Sequence, residues 1–318
     1  MKRGKPKALS DADIDELVAV LNRMIAQADG EYEVTVDMLR LATRLKVCTR
    51  TISRALHSRK IYFRRLREKP LLTQQDVKAR FAFARRHKGK NAKWWNTHID
   101  MHIDVKYFPV LLHGQARSHA AREGTRGAYR TAGQGLAAPY VKRGKRNRYN
   151  TGARSVIVLA GIGHGKVLLW KTIDGQNWNG DLASKMYLGP MKDALHRACP
   201  RKRRWRVLED NDPAGFQSGK GKQAKRAAKI VPFRIPKRSP GLNVCDYMLW
   251  HEINTRMRKT EAKWDKGRRE TRAQYIARLR KTALRLPRSL ILKSIGDMRR
   301  RCARLYAARG AHFEEGGK

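Results

Sequence analysis

Acidic residues are scarce in this 318-residue chain: 27 Asp and Glu stand against 72 Lys and Arg, a formal charge of +45. Such an imbalance is hard to explain without a polyanionic partner, and nucleic acid is the default because Lys and Arg displace its condensed counterions. Long apolar runs are missing too. None approaches the roughly 20 residues that span a bilayer, and the opening "MKRGKPKALSDADID" lacks the apolar core of a secretory signal. The four cysteines, Cys48, Cys199, Cys245 and Cys302, lie far apart with no C-x-x-C pair. That disfavours a zinc knuckle and a disulfide framework, and fits reduced thiols in the cytosol or nucleus. Met1–Lys7 ("MKRGKPK") is basic enough to serve nuclear import, so the nucleus is the expected location.

What is present argues for a folded protein. An apolar share of 41% and seven Trp exclude wholesale disorder, and the length suits two domains. Apolar residues recur at helical period over Asp11–Ala28, and two further helices are expected over Val36–Leu45 and Arg50–Ser58. Ile61–Lys69 reads as a basic connector, followed by a helix over Gln74–His87 with Val77, Phe81 and Phe83 inward and a linker over Lys88–Lys93. From Trp94 the period changes. "THIDMHIDVKYF" (Thr97–Phe108) alternates strictly, which predicts a strand. Gly114–Arg154 interrupts the pattern with ten Lys or Arg and one acid, too polar for core. The rest reads as a hairpin around "GHG" (Gly163–Gly165), a helix, a strand at Trp205–Leu208, a helix, a strand at Ile230–Ile235 and three closing helices. The expected domains are 1–69, a helical connector over 70–93, and 94–318 with a basic insertion at 114–154. The order gives a mixed α/β layer behind an all-helical head.

Within the head, "LATRLKVCTRTISRALHSR" (Leu41–Arg59) follows a helix-turn-helix pattern. Leu41, Ala42, Leu45, Val47, Ile52 and Leu56 can pack two helices across the turn. That leaves Thr49, Arg50, Ser53, Arg54 and His57 on the outer face of the second, the face that meets base edges in a major groove. Cys48 stands where such turns place a capping Ser, and Thr49 is the expected substitute. In the insertion, Lys142, Arg143, Lys145, Arg146 and Arg148 form a second basic run suited to phosphate contact.

The few acids gather at one place. "LEDNDPAGF" (Leu208–Phe216) holds Glu209, Asp210 and Asp212 just after the basic run Arg201–Arg206. Phosphodiester chemistry with two divalent ions accounts for carboxylates inside a basic protein: basic surroundings hold the DNA and acids hold the cations. Such a site needs acids from separate strand ends. Asp104, Asp210 and Asp246 meet that description, with 35 residues between the last two. Asp100 and His102 share the predicted strand face of Asp104, so Asp100 is an alternative ligand. Glu209 alternates to the opposite face from Asp210. Asp212 reads as an Asx-turn residue before Pro213, and Asp246 is also placed to cap its helix. His102 is expected to be a satisfied hydrogen-bonding side chain, and Trp94, Trp95 and Trp250 to be packing residues.

These motifs resemble those of the mariner-type transposases, cut-and-paste enzymes with a DDE/D triad on an RNase H-like fold. "HIDVKYF", "EDNDP" and "RSPGLNVCDYMLW" resemble the three catalytic motifs, with the ligands falling on Asp104, Asp210 and Asp246. "TRTISRAL", "KPLLTQQDVKARFAFARRH" and "GDMRRR" are similar to the family's head, connector and C-terminal segment, so the resemblance covers about residues 36–310. It implies a mixed central sheet flanked by helices behind a helix-turn-helix, and catalysis with two Mg²⁺ or Mn²⁺ ions. It also implies binding to transposon terminal inverted repeats, strand transfer into target DNA, and a homodimer clamped by the 114–154 insertion. Three positions depart from the family pattern: Gly241 for an Asp, Gly215 for a His, and Val105 for a second acid. A non-catalytic DNA-binding protein derived from a transposase is the alternative reading. A ribosomal-type RNA binder would account for the charge but not for the spaced acids.

Overall fold

The computed structural model describes residues 8–28, 34–65, 67–110, 127–136, 141–143, 155–173, 175–261, 263–264 and 270–313. The chain forms two compact units, Met1–Leu71 with Ser118–Asn147, and Leu72–Arg117 with Arg148–Lys318.

In the first unit, α1 (Asp11–Ala28) buries Ile14, Leu17, Leu21, Ile25 and Ala28, one stripe at helical spacing. The stripe packs on α2 (Val36–Thr43) and α3 (Thr49–Ser58) through Leu39, Ile52 and Leu56. Two head expectations are corrected. Leu41 is 70% exposed and Ala42 is also exposed, because α2 turns Leu39 inward instead. Thr49 does not cap: Cys48 holds the cap position with no capping bond, and its Sγ lies 3.3 Å from Thr51 Oγ1. Arg44, at φ +54, closes α2 and turns the chain.

The connector is not merely a spacer. It carries β1 (Tyr62–Arg65), antiparallel to β4 (Gly127–Arg130), and β2 (Arg67–Lys69), parallel to β5 (Val141–Arg143). Ala128 is buried in the same core as Leu17 and Leu56, and Phe63 meets Tyr129 edge to face. Part of the insertion, expected to lie outside any core, is therefore built into the first unit.

The second unit opens with α4 (Gln74–His87), started by a capping box between Thr73 and Asp76. Its inward stripe is polar rather than the expected Val77, Phe81 and Phe83, which are only half-buried: Asp76, Arg80, Ala84 and His87 are buried. Arg80 explains this. Its guanidinium donates to the carbonyls of Gly310, Arg238 and Ala311 and to Ser239 Oγ, joining α4 to two distant loops. The expected linker also ends early, because Asn91 caps a short helix, α5 (Ala92–His98), which takes the first residues of the predicted strand.

The central sheet has the order β7-β6-β3-β8-β9. β3 (Met101–Pro109) pairs antiparallel with β6 (Ser155–Gly163), which pairs antiparallel with β7 (Lys166–Ile173). On its other side β3 runs parallel to β8 (Trp205–Glu209), and β8 runs parallel to β9 (Ile230–Arg234). This is the RNase H-like arrangement: three antiparallel strands extended by two parallel ones. One face packs on α6 (Gly180–Met186), α7 (Lys192–Ala198) and α8 (Gly219–Ala227) through Met101, Ile103, Tyr187, Leu195 and Phe216. An i→i+5 turn at Tyr187–Met191 joins α6 to α7 around Pro190, which has no N–H to give. The other face packs on α9 (Trp250–Glu261), α10 (Arg272–Leu284), α11 (Arg288–Gly296) and α12 (Met298–Ala307). The last two were expected as one helix, but the chain breaks at Asp297, whose carboxylate accepts from Arg300 and Arg301.

Candidate active site

The register of the sheet brings the first two acids together. Met101 pairs with Val207 and His102 with Leu208 in the parallel β3–β8 ladder. Continued two residues past the last pair, the same offset points Asp104 on β3 toward Asp210, the residue that follows β8 (Trp205–Glu209). Alternation puts Asp104 on the face of the helix-rich core beside Ala160, its partner on β6.

Asp246 arrives from a turn docked on the same strand. Asn243 Nδ2 donates to the Ile103 carbonyl at 3.4 Å, and Cys245 Sγ lies 3.5 Å from the His102 carbonyl. Asn243 Oδ1 accepts the Cys245 N–H at 3.1 Å where the i→i+5 turn Cys245–Leu249 begins, and Asp246 lies inside that turn. One turn further on, Trp250 Nε1 donates to Asp104 Oδ2 at 2.6 Å. Trp250 is thus more than the packing residue expected: it anchors the Asp104 carboxylate.

Electrostatic coupling links them in a chain, Asp246 to Asp104 and Asp104 to Asp210, without the ligand atoms of all three lying within 4.8 Å of one another. Burial pushes the Asp104 carboxyl well above the usual carboxylate range, and the charge of Asp246 adds to it. Burial and the charge of Asp104 push Asp210 up to about 7. Neither Asp104 nor Asp210 forms an ion pair with a lysine or arginine among the described residues. Every other buried acid of this sheet region for which a partner is seen holds a cation: Asp100 pairs with Lys202, Glu209 with Lys225, Asp76 with Arg238. In a chain of charge +45, two neighbouring carboxylates left without a basic partner form an all-oxygen, cation-seeking donor set that fits Mg²⁺ or Mn²⁺.

The neighbouring acids resolve differently. Asp100 precedes β3; its Oδ2 accepts the Arg206 N–H at 2.8 Å and its Oδ1 contacts Lys202 Nζ at 2.5 Å, so it is engaged away from the triad. Glu209 faces the opposite core, where Tyr187, Gln217 and Lys225 all donate to it. Asp212 holds the following loop, accepting the N–H groups of Ala214 and Gly215 and Trp178 Nε1. His102 departs from expectation. It is fully buried with neither ring nitrogen hydrogen-bonded among the described residues, and burial pushes its pKa down to about 3.

The three departures from the family pattern have local reasons or neighbours. A Cβ at Gly215 would come within 2.2 Å of Trp178 Nε1, so no larger residue fits while Trp178 holds Asp212. Val105 packs against the opposite core from Asp104. The Gly241 carbonyl accepts from Arg301.

In the first unit Arg50, Arg54 and His57 are exposed and Thr49 and Ser53 half-buried, all away from the Ile52–Leu56 core face. His57 stacks on Tyr62 with ring centroids 4.8 Å apart. Lys142 and Arg143 lie on β5; Lys145, Arg146 and Arg148 fall outside the described residues.

Comparison with known proteins agrees with the fold. Residues 23–89 match a family described as "Transposase", the Tc3-type transposase helix-turn-helix. No curated protein matches the chain. The Mos1 mariner paired-end complex with Mn is similar at TM-score 0.63 and 16% identity, covering 99% of this chain and 83% of that one. The Mos1 strand transfer complex is similar at TM-score 0.59 and 19% identity, covering 99% and 82%. The catalytic domain of Mos1 mariner transposase is similar at TM-score 0.53 and 13% identity, covering 77% and 98%. The chain therefore has the mariner transposase fold, with a transposase helix-turn-helix at its start.

Proposed function

We propose that this chain is a mariner-type DNA transposase that binds transposon terminal inverted repeats and cleaves and transfers DNA strands at Asp104, Asp210 and Asp246. The observation that carries the reading is the pair of electrostatically coupled aspartates, Asp104 and Asp210, kept without an ion-pair partner among the described residues in so basic a protein. The likeness to the Mos1 complexes supports it at the level of fold.

On this reading the three carboxylates hold two Mg²⁺ or Mn²⁺ ions. When bound, such ions supply activation of an attacking hydroxyl and relief of charge on the leaving oxygen. The chain's own groups do the positioning. Trp250 donates to Asp104 Oδ2 and so fixes that carboxylate in place. Lys225 joins Glu209, at the end of β8, to the Phe216 carbonyl, closing the loop that starts with Asp210. Arg50 and Arg54 meet base edges or phosphates of the transposon end, and the basic insertion clamps DNA and the second subunit of a homodimer. The reading places the protein in the nucleus.

The test is strand nicking. Transposon-end DNA is incubated with the full chain and Mg²⁺ or Mn²⁺, and Asp210→Ala is expected to abolish nicking while retaining end binding. A mutant that still nicks removes Asp210 from the site. The alternative, a non-catalytic DNA-binding derivative, rests on Gly215 and Gly241; it predicts end binding by the wild type with no nicking under either ion.

A further inference from the structure

Four residues before Asp104, at the other end of β3, lies a second ligand-bearing cluster of different chemistry. Cys199 Sγ is 3.2 Å from His164 Nε2 and 3.6 Å from Asp100 Oδ1, and His164 Nε2 is 3.9 Å from Asp100 Oδ1. A tetrahedral zinc ion with bonds of about 2.0–2.3 Å sets its ligands roughly 3.3–3.6 Å apart. The observed sides, 3.2, 3.6 and 3.9 Å, lie within about 0.3 Å of that range, with one sulfur, one nitrogen and one oxygen donor. Among the described residues these three side chains are the group whose ligand atoms all lie within 4.8 Å of one another.

The surrounding structure is shaped to make the triangle. The hairpin between β6 and β7 turns on His164 at φ +52 and Gly165 at φ +74, both left-handed, a pair of positions where Asn-Gly is the usual choice. His is among the residues that tolerate left-handed φ, so the turn can carry an imidazole at its tip. Gly163 lets the hairpin press onto β3, since a Cβ there would stand 2.3 Å from the Asp100 carbonyl oxygen. Arg288 holds the tip by donating to the His164 carbonyl at 3.1 Å. Asp100 is fixed from behind, Oδ2 by the Arg206 N–H and its own N–H by the Arg206 carbonyl at 2.8 Å. A secured outer oxygen is what orients a ligating carboxylate.

We propose that Asp100, His164 and Cys199 form a site for one thiophilic divalent cation of the zinc type, separate from the all-oxygen triad and pinning the start of β3 to the hairpin tip and the end of α7. The place already attracts a cation: Lys202 Nζ lies on Asp100 Oδ1. The Lys202 side chain is 45% exposed and can swing into water, and a cavity of about 430 Å³ bordered by Asp100, Lys202 and Arg206 opens beside Asp100. Burial, together with Lys202 and Arg288, lowers the His164 pKa and leaves its imidazole neutral and able to ligate. Burial and Asp100 raise the Cys199 thiol, so binding expels one proton to solvent as the thiolate forms. The ion must also displace the Lys202 ammonium, so affinity is set by that competition. Holding residues 100, 164 and 199 at one point removes loop-closure freedom from the unfolded chain, so the ion stabilises the fold.

Cobalt(II) titration of the full chain tests this, because a sulfur ligand gives a thiolate-to-metal charge-transfer band and a tetrahedral ion gives strong visible d–d bands. One equivalent of Co²⁺ is expected to produce both bands, and one equivalent of Zn²⁺ to abolish them and raise the melting temperature above that in chelator. Asp210→Ala keeps the bands, which separates this site from the triad. Cys199→Ser loses them. His164→Asn, which suits the turn and so preserves the fold if Cys199→Ser does not, weakens binding by at least about tenfold. Lys202→Met tightens it roughly fivefold by removing the competing ion pair. Absence of the charge-transfer band in the wild type, its survival in Cys199→Ser, or a Lys202→Met variant that binds no more tightly would overturn the assignment.

Discussion

The two ends of β3 treat their aspartates in opposite ways. At the first end, Asp100 is held by an ammonium and two backbone bonds. At the second, Asp104 faces Asp246 and Asp210, with an indole as its hydrogen-bonding partner. Burial is similar, 1% and 7% exposed, so solvent exposure does not distinguish them. What distinguishes them is compensation. A buried carboxylate beside a cation is satisfied; buried carboxylates beside each other are high in free energy until protons or metal ions arrive. In a protein with 72 Lys and Arg, leaving two acids uncompensated is the informative choice.

The largest effect expected of that contrast is on nicking. Asp210→Ala lowers the rate by on the order of 10²–10³-fold, the cost of removing one electrostatic element of a transition-state site, as read by single-turnover cleavage of end DNA. Next comes the compensated class. Lys225→Met leaves Glu209 buried without its cation and costs about 3–5 kcal/mol of stability, measurable by denaturant unfolding. Trp250→Phe keeps the ring but removes the donor to Asp104; half-maximal Mn²⁺ for nicking rises about 10–100-fold, the usual cost of losing an outer partner of a metal ligand. The smallest effect sharpens the comparison most. Asp210→Asn relieves repulsion and raises stability in metal-free buffer, whereas Asp100→Asn lowers it by about 1–2 kcal/mol through the weakened Lys202 contact. Equal signs for the two variants would erase the distinction.

Much of this end of the sheet was legible. Alternation over His102–Phe108 placed Asp104, and the strand–acid pattern at Trp205–Asp210 placed its neighbour. The hydrophobic period of α1 and the bounds of α4 were equally direct. Other features were not. Thr97 and His98 fit the strand alternation, yet Asn91 caps them into α5. β1 and β2 are short and basic, and their partners lie more than 60 residues on, so no local period announces them. The bond from Trp250 to Asp104 spans 146 residues and that from Cys199 to Asp100 spans 99. C-x-x-C spacing cannot signal a site assembled from such separations. Arg80 shows the same limit: a helix face was sought as an apolar stripe, but a guanidinium making four bonds serves as its core.

The most direct measurement is the anomalous scattering of Mn²⁺ soaked into crystals of the full chain. The account predicts peaks bounded by the carboxylates of Asp104, Asp210 and Asp246, with the Asp104 oxygen not held by Trp250 as the ligand. Peaks elsewhere, with these three side chains free of metal, would contradict it.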